Sequence, residues 1–223
     1  MSSSIGLTSE IIRYLSDVNP PEHPVLAKCR EETQAMPMAQ MQISAEQGAF
    51  MQLLVRLINA KRAFEVGVFT GYSSLAVALA MQERHGRDAH LLACDVNEDW
   101  TASARRYWAE AGVDGIIDLT IAPALDTLDK RLQAREEGSY DFGFIDADKT
   151  SYDQYYERGL RLIRRGGLML FDNVLWSGRV AEPADKSADT VALRALAHKA
   201  KSDDRIHAAM TAIGDGLLLV VKR

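Results

Sequence analysis

The stretch FEVGVFTGYSSLAVALA, Phe64–Ala80, changes its period in the middle. Up to Val66 it is a short apolar run holding one acid, as expected of a strand with both faces covered. Gly67 and Gly71 bracket a turn, and from Tyr72 the small and apolar residues continue at helical length. A strand, a glycine-bounded turn and a helix therefore follow one another within seventeen residues. Working outward, the same alternation recurs. RAFEVG, HLLACD, IIDLTI, YDFGFID and GGLMLFD read as strands, and helical patterns cover about 72–83, 98–111, 124–136 and 152–162. Strands separated by helices argue for a parallel α/β sheet with helices on both faces. Right-handed crossovers then bring the strand C-termini to one edge. The end differs: after a helix near 189–201, RIHAAMTAI and GLLLVVKR are joined by GDG and read as a closing hairpin or two adjacent strands, one antiparallel.

Before this core lies a helical N-terminal extension. SEIIRYL is amphipathic, NPPEHP breaks it, and a second helix is expected over about 25–35. SAEQGAFMQLLVRLINA opens on Ser44 with Gln47 three residues later, a capping-box pattern. The irregular AMPMAQMQI between them reads as core or interface filler, because methionine adapts to uneven gaps. The expected organisation is one domain, 1–223, with the extension over 1–60 and the α/β core over 61–223. Its 223 residues are 47% hydrophobic, which suits a globular chain. Lys plus Arg number 26 against 31 acids, a formal charge of -5, which gives nucleic acid no encouragement. Two cysteines, Cys29 and Cys94, form no metal or redox motif and point to a reducing compartment. The start lacks a basic region followed by an apolar run, and no uncharged segment is long enough to span a bilayer, so the expectation is a cytoplasmic protein without membrane contact.

Ligands of open α/β sheets bind beyond the strand C-termini, and chemistry-bearing residues gather there. The Gly67/Gly71 turn has neither dinucleotide G-x-G-x-x-G spacing nor the Lys-Ser or Lys-Thr of a phosphate loop. The glycines serve either the turn alone or a close approach of backbone to ligand. Asp95 ends the second strand, where an acid accepts from a cofactor ribose or caps the next helix. Glu65, one step inside an apolar strand, needs partners if buried. An adenosine cofactor without a phosphate cradle points to S-adenosylmethionine over NAD or ATP. A second charged edge follows: Asp146 ends the fourth strand, and Asp172 and Asn173 the fifth. Two acids and an amide are hard oxygen ligands for Mg²⁺; the alternative is two independent turn starts. Lys149, one short loop on, is either a general base near that rim or a solvated charge paired with Asp148 or Asp153. Trp176 is an aromatic wall over an aryl substrate or loop packing.

FEVGVFTGYSSLAVALA, ACDVNE, AGVDGIID, YDFGFIDADKTSYDQYYERGLRLIRRGGLMLFDNVLWSGRV and DDRIHAAMTAIGDGLLLVVKR together resemble the cation-dependent class I O-methyltransferases, closest to the caffeoyl-CoA O-methyltransferase type and its small bacterial relatives. The likeness runs from about PVLAKCREET to the C-terminus. It implies a Rossmann-like class I methyltransferase fold, a mostly parallel seven-stranded sheet of order 3-2-1-4-5-7-6, and a homodimer. It implies methyl transfer from S-adenosylmethionine to one hydroxyl of a catechol-like small aromatic, with Mg²⁺ or another cation such as Mn²⁺ or Ca²⁺. By the same likeness Asp146, Asp172 and Asn173 hold the metal, and Lys149, with Asp146, is catalytic. Met41, Glu65, Gly67, Ser73, Asp95, Ala124 and Asp146 bind the cofactor. Asp148 is left to loop structure or to electrostatic support of the site, outside the catalytic set. The chain departs from plant members at Ile43, at Ala122–Ala124 (APA for GPA), at Ala197 where an Asn falls, and in lacking their substrate-recognition insertion. These departures favour small free catechols over a large conjugate. The rival activities are methylation of hydroxylated uridine in tRNA and non-catalytic cofactor binding by a homodimer.

Overall fold

The computed structural model describes residue 4 and residues 6–223. The reading of the chain start rests partly on residues 1–3 and 5, which lie outside the described residues. Three helices come first: α1 (Ser9–Val18), α2 (Pro24–Gln34) and α3 (Ala45–Leu57). The core then alternates β1 (Arg62–Val66), α4 (Tyr72–His85), β2 (His90–Asp95), α5 (Glu98–Glu110), β3 (Ile117–Ile121), α6 (Ala124–Gln133), β4 (Tyr140–Ile145), α7 (Tyr152–Leu162) and β5 (Ile163–Phe171). It closes with α8 (Ala188–Ser202), β6 (Ile206–Thr211) and β7 (Leu217–Lys222).

The seven strands form one sheet in the order β3-β2-β1-β4-β5-β7-β6. β1 to β5 pair in parallel, while β7 runs antiparallel to both β5 and β6. The strand order implied by the resemblance is the observed one, and the order reverses direction between β1 and β4. Helices α2 to α5 cover one face, where Met51, Leu75, Met81 and Trp108 join the core, and α6 to α8 cover the other with Tyr152, Tyr156 and Leu193. Each such large side chain, fully buried, contributes about 2 kcal/mol by leaving water. At the bottom of the sheet Asp141 accepts from the Lys61 and Arg62 amides at 2.8 Å and from Arg164 Nε at 2.6 Å, tying β1, β4 and β5 together. The opposite, C-terminal edge is left free for a site.

Several boundaries differ from the sequence expectation for local reasons. β5 starts at Ile163, not at Gly166, because α7 passes into it without a loop and the register with β4 shifts between Tyr140 and Phe142. α6 ends at Gln133, three residues before 136, where Arg135 turns into the left-handed region at φ 62°. Half of the expected capping box forms: Ser44 Oγ accepts from the Gln47 amide at 3.2 Å, but the Gln47 side chain turns into the C-terminal cavity. Met38 and Met41 are exposed rather than core. Among the described residues no helix is long and apolar enough to cross a membrane.

Candidate active site

β1 and β4 are neighbours at the point where the strand order reverses, and a cavity of about 900 Å³ opens above their ends. The chain leaves β1 through Gly67, whose φ of +93° belongs to the left-handed region. The Asp146 amide donates to Val66 O at 2.8 Å, drawing the end of β4 against that turn. A Cβ on Gly67 would lie 1.8 Å from the Asp146 carbonyl oxygen, so only glycine fits between the two strand ends.

Asp95, at the end of β2, organises the glycine turn. One carboxylate oxygen accepts from the Val68 and Phe69 amides at 2.8 and 3.0 Å, the other from Val96 and Asn97 at 2.7 and 2.8 Å. The helix cap belongs instead to Asn97, whose side chain accepts from the Trp100 amide at 2.9 Å. Phe69 and Trp100 meet edge to face at 5.2 Å and line the cavity, as do Pro123, Ala124 and Met41. The Met41 segment is anchored by Gln42, whose amide donates to Thr33 Oγ1 at 3.0 Å and Thr70 Oγ1 at 3.1 Å, the latter on the glycine turn.

Glu65 is buried beneath this half of the cavity. One oxygen accepts from the Ser73 hydroxyl, and the other has no partner. Burial, against the pull of the Ser73 and Ser74 hydroxyls, pushes its carboxyl up to about 8. The folded chain thus holds a proton there between the ordinary 4.5 and about 8, where the unfolded chain has released it. The associated stability is full below 4.5 and is lost as pH rises through 8. Glu65→Gln, which removes the titration, is therefore expected to gain thermal stability over the parent as pH rises, by on the order of 3 kcal/mol above pH 8, with the two converging near pH 4.5. Melting curves of the ligand-free protein across that range measure it.

On the far side of the switch point stand Asp146, Asp172 and Asn173, all lining the cavity. Asn173 takes φ 55°, and its amide donates to Asp172 Oδ1 at 2.7 Å. Asp172 is 2% exposed; burial first and the charge of Asp146 second raise its proton affinity. Lys149 is buried, not solvated, and pairs with neither Asp148 nor Asp153. Its Nζ donates to Asp146 Oδ1 at 3.0 Å and to the Tyr152 hydroxyl at 2.7 Å, beneath the Trp176 ring at 5.7 Å. Tyr152 in turn donates to the Asp172 backbone oxygen at 3.0 Å. Asp148 accepts from the Tyr155 hydroxyl at 2.7 Å, a loop role. Among the described residues no three His, Cys, Asp or Glu side chains gather as a metal cluster. The donor set of the rim is two carboxylates and one amide, which fits a hard divalent cation that keeps other oxygen ligands, and not zinc.

The chain matches the family described as O-methyltransferase over residues 16–223. It is 50% identical over 183 residues to probable caffeoyl-CoA O-methyltransferase 1 of Dictyostelium discoideum, covering 82% of this chain and 78% of that protein. To catechol O-methyltransferase domain-containing protein 1 of Mus musculus it is 38% identical, over 94% of this chain and 79% of that one. It belongs to the O-methyltransferase family, of the caffeoyl-CoA type.

Solved relatives give the methyltransferase its cofactor. The O-methyltransferase TomG of Streptomyces achromogenes, in complex with SAM, superposes with a TM-score of 0.85 at 27% identity over 96% of both chains. An O-methyltransferase of Bacillus cereus in complex with SAH gives 0.84 at 27%, over 96% of this chain and 97% of that one. The protein is thus an S-adenosylmethionine-dependent O-methyltransferase.

Every site residue singled out in the sequence lines the cavity except Glu65, which is buried on β1 and reaches it through its hydroxyl partner Ser73. The sequence reading missed Gln47 and Tyr152. Gln47 is 1% exposed, lines the cavity and sets its side chain against the Asp172 carboxylate, opposing the rise in proton affinity that burial causes there. Its signal was present but was absorbed by the capping pattern. Tyr152 lies three residues after Lys149 at the start of α7, a spacing that brings both side chains to one end of the helix.

Proposed function

We propose that this methyltransferase moves the methyl group of S-adenosylmethionine to one hydroxyl of a catechol-like small molecule, with a divalent cation at Asp146, Asp172 and Asn173. The observation that carries the reading is the convergence of those three side chains and Lys149 in the cavity that also holds the cofactor-side residues. Held by those three side chains, a divalent cation would supply the positive charge that lowers the proton affinity of an acceptor hydroxyl. The chain does the rest. Asp146 and Asp172, at neighbouring strand ends, hold the charge; Tyr152 fixes the Lys149 side chain from below; the Trp176 ring closes over it and excludes water.

In the transfer, an acceptor oxygen forms a bond to the methyl carbon as the carbon–sulfur bond breaks. The electron pair leaves with sulfur as a neutral thioether, and the hydroxyl proton passes to Lys149. Orientation within the cavity supplies much of the rate. Met41, Glu65, Gly67, Ser73, Asp95, Ala124 and Asp146 are the cofactor side of this reading, with Asp95 acting chiefly by holding the turn. Retention of both acids, Asn173 and Lys149 favours an enzyme over a non-catalytic binding protein. A tRNA substrate is disfavoured by a cavity whose described lining has a single cation, Lys149. The reading includes a homodimer: Ile11, Tyr14 and Val18 of α1 and Leu53 and Leu57 of α3 are large apolar side chains left exposed on the helical extension. It also includes a reducing, cytoplasmic setting, supported by two buried free thiols.

The test is to incubate the protein with S-adenosylmethionine and 3,4-dihydroxy aromatics, with Mg²⁺ or with a chelator, and to identify methylated products, beside a parallel reaction on unmodified tRNA. Mono-O-methylated catechol that disappears on chelation is expected. Equal turnover after chelation would sink the cation-assisted mechanism, and methyl groups appearing only in tRNA would sink the substrate class.

A further inference from the structure

The strap that joins α2 to α3 has no apolar anchor over most of its length. From Gln34 to Met41 no side chain is buried. Met38 takes φ 64° at the entry to a single 3₁₀ turn, Ala39–Met41. Gln40, Met41, Gln42 and Ile43 line the cavity of the site. Gln40, Gln42 and Ile43 also line a second cavity, of about 1950 Å³, together with Leu15 of α1 and Leu53 of α3. The strap therefore parts two open spaces. The first side chain buried after Gln34 is polar: it is Gln42.

The partners of Gln42 come from two elements that are fixed independently of the strap. Thr33 lies in the last turn of α2, a helix seated in the core through Val25, Leu26 and Cys29. Thr70 belongs to the glycine turn, whose Val68 and Phe69 amides are held by Asp95. Both threonines are buried. The Gln42 amide donates to their hydroxyls at 3.0 and 3.1 Å, and Thr33 donates to Thr70 at 2.9 Å. Cys29 Sγ closes the group, 3.6 Å from the Gln42 amide nitrogen and 3.6 Å from the Thr70 backbone oxygen. Apolar contact is non-directional, whereas hydrogen bonds weaken steeply once distance and angle are lost, so the strap is either seated or released. We infer that Thr33 and Gln42 are positioning residues for the cofactor: with Thr70 they latch the strap against the glycine turn, and release of the latch sets the rate at which S-adenosylhomocysteine leaves. Thr33 is not among the lining residues and acts through Gln42 and Thr70. The inference rests on the placement of the cofactor beside Met41 proposed above, and not on the identity of the acceptor.

The experiment follows dissociation of S-adenosylhomocysteine from the full-length protein by stopped flow, and amide hydrogen exchange with and without that ligand. Gln42→Met keeps the length of the side chain and removes its donors; Thr33→Val removes one acceptor without touching the cavity. Each should speed dissociation by about tenfold, the weight of one or two buried hydrogen bonds. The double variant should also stay near about tenfold, because both changes break the same latch. Thr33→Ser, which keeps the hydroxyl, should restore the parental rate. In the parent, the Met41 and Gln42 amides donate to the Met38 and Ala39 backbone oxygens at 2.9 and 3.2 Å. They should exchange by local opening, ahead of the sheet, and slow when S-adenosylhomocysteine binds. Dissociation within about twofold of the parent in both single variants, or factors that multiply in the double variant, would overturn the latch. A lowered melting temperature with an unchanged rate is that first outcome, a structural role alone. If the variants do not fold, the parent's exchange decides: strap amides that open only with global unfolding overturn the latch as well. Slowing at the Val68 and Phe69 amides with none at the strap would set the cofactor away from Met41, and that placement and the latch would fall together.

Discussion

Lys149→Met is expected to lower kcat by about two to three orders of magnitude, the usual contribution of a positioned general base. Methionine keeps the length and apolar stem of the side chain but cannot hold a proton. The Nζ it removes is the group 3.0 Å from Asp146 and 2.7 Å from Tyr152, and no other basic side chain lines the described cavity. Affinity for S-adenosylhomocysteine should be retained, because the cofactor walls around Phe69, Trp100 and Ala124 are untouched. In the cation-free protein the variant should also lose stability, by about 3 kcal/mol, since Asp146 is left beside Asp172 without its counter-charge. Added Mg²⁺ should restore much of that loss. Asp172→Ala gives the opposite pattern: activity falls as far, but Mg²⁺ no longer raises the melting temperature. Steady-state kinetics, calorimetric titration and melting curves with and without Mg²⁺ separate the two. Near-parental kcat in Lys149→Met would remove the base from the mechanism.

Gly67→Ala is expected to destabilise the protein by at least about 3 kcal/mol and to abolish cofactor binding in whatever remains folded. Two costs combine. The φ of +93° is one that residues with a Cβ rarely adopt, and the methyl group would meet the Asp146 carbonyl at 1.8 Å. The obstacle is backbone, so no rotamer change relieves it; β1 and β4 must separate at the point where both halves of the site meet. Gly112→Ala is the matched control. Gly112 has φ +70° with nothing within 4 Å of an added Cβ, and that variant should lose only about 1 kcal/mol and keep its activity. Comparable losses in the two variants would mean that the close approach at Gly67 carries no energetic weight.

Most secondary elements were legible because their signals are local. Apolar runs flanked by turn residues located β1 to β5, helical periodicity located α4 to α8, and the GDG turn marked a hairpin that pairs as expected. The boundaries that moved lie where a neighbour takes part: α7 flows directly into β5 over the stretch where the register with β4 shifts, and pairing with β4 is not encoded in the β5 sequence alone. The order of the sheet was legible only through the family likeness, since nothing in the periodicity says that β4 lies beside β1. At the site, the acids at strand ends could be read from position, but their division of labour could not. Asp95 gives its carboxylate to four backbone amides, Asn97 takes the cap expected of it, and Gln47 leaves its capping box for the cavity.

By itself, the sequence determined an alternating α/β chain with a helical extension and an edge carrying Glu65, Asp95, Asp146, Lys149, Asp172 and Asn173, because periodicity and turn chemistry act between residues a few positions apart. Only the tertiary structure decided that Lys149 is buried against Asp146 and Tyr152, that burial raises the proton affinity of Glu65, and that the ends of β1, β4 and β5 line one cavity. Those outcomes depend on desolvation and on charges contributed by separate elements, some lying more than forty residues apart along the chain, and such effects exist only once the sheet has brought its strand ends together.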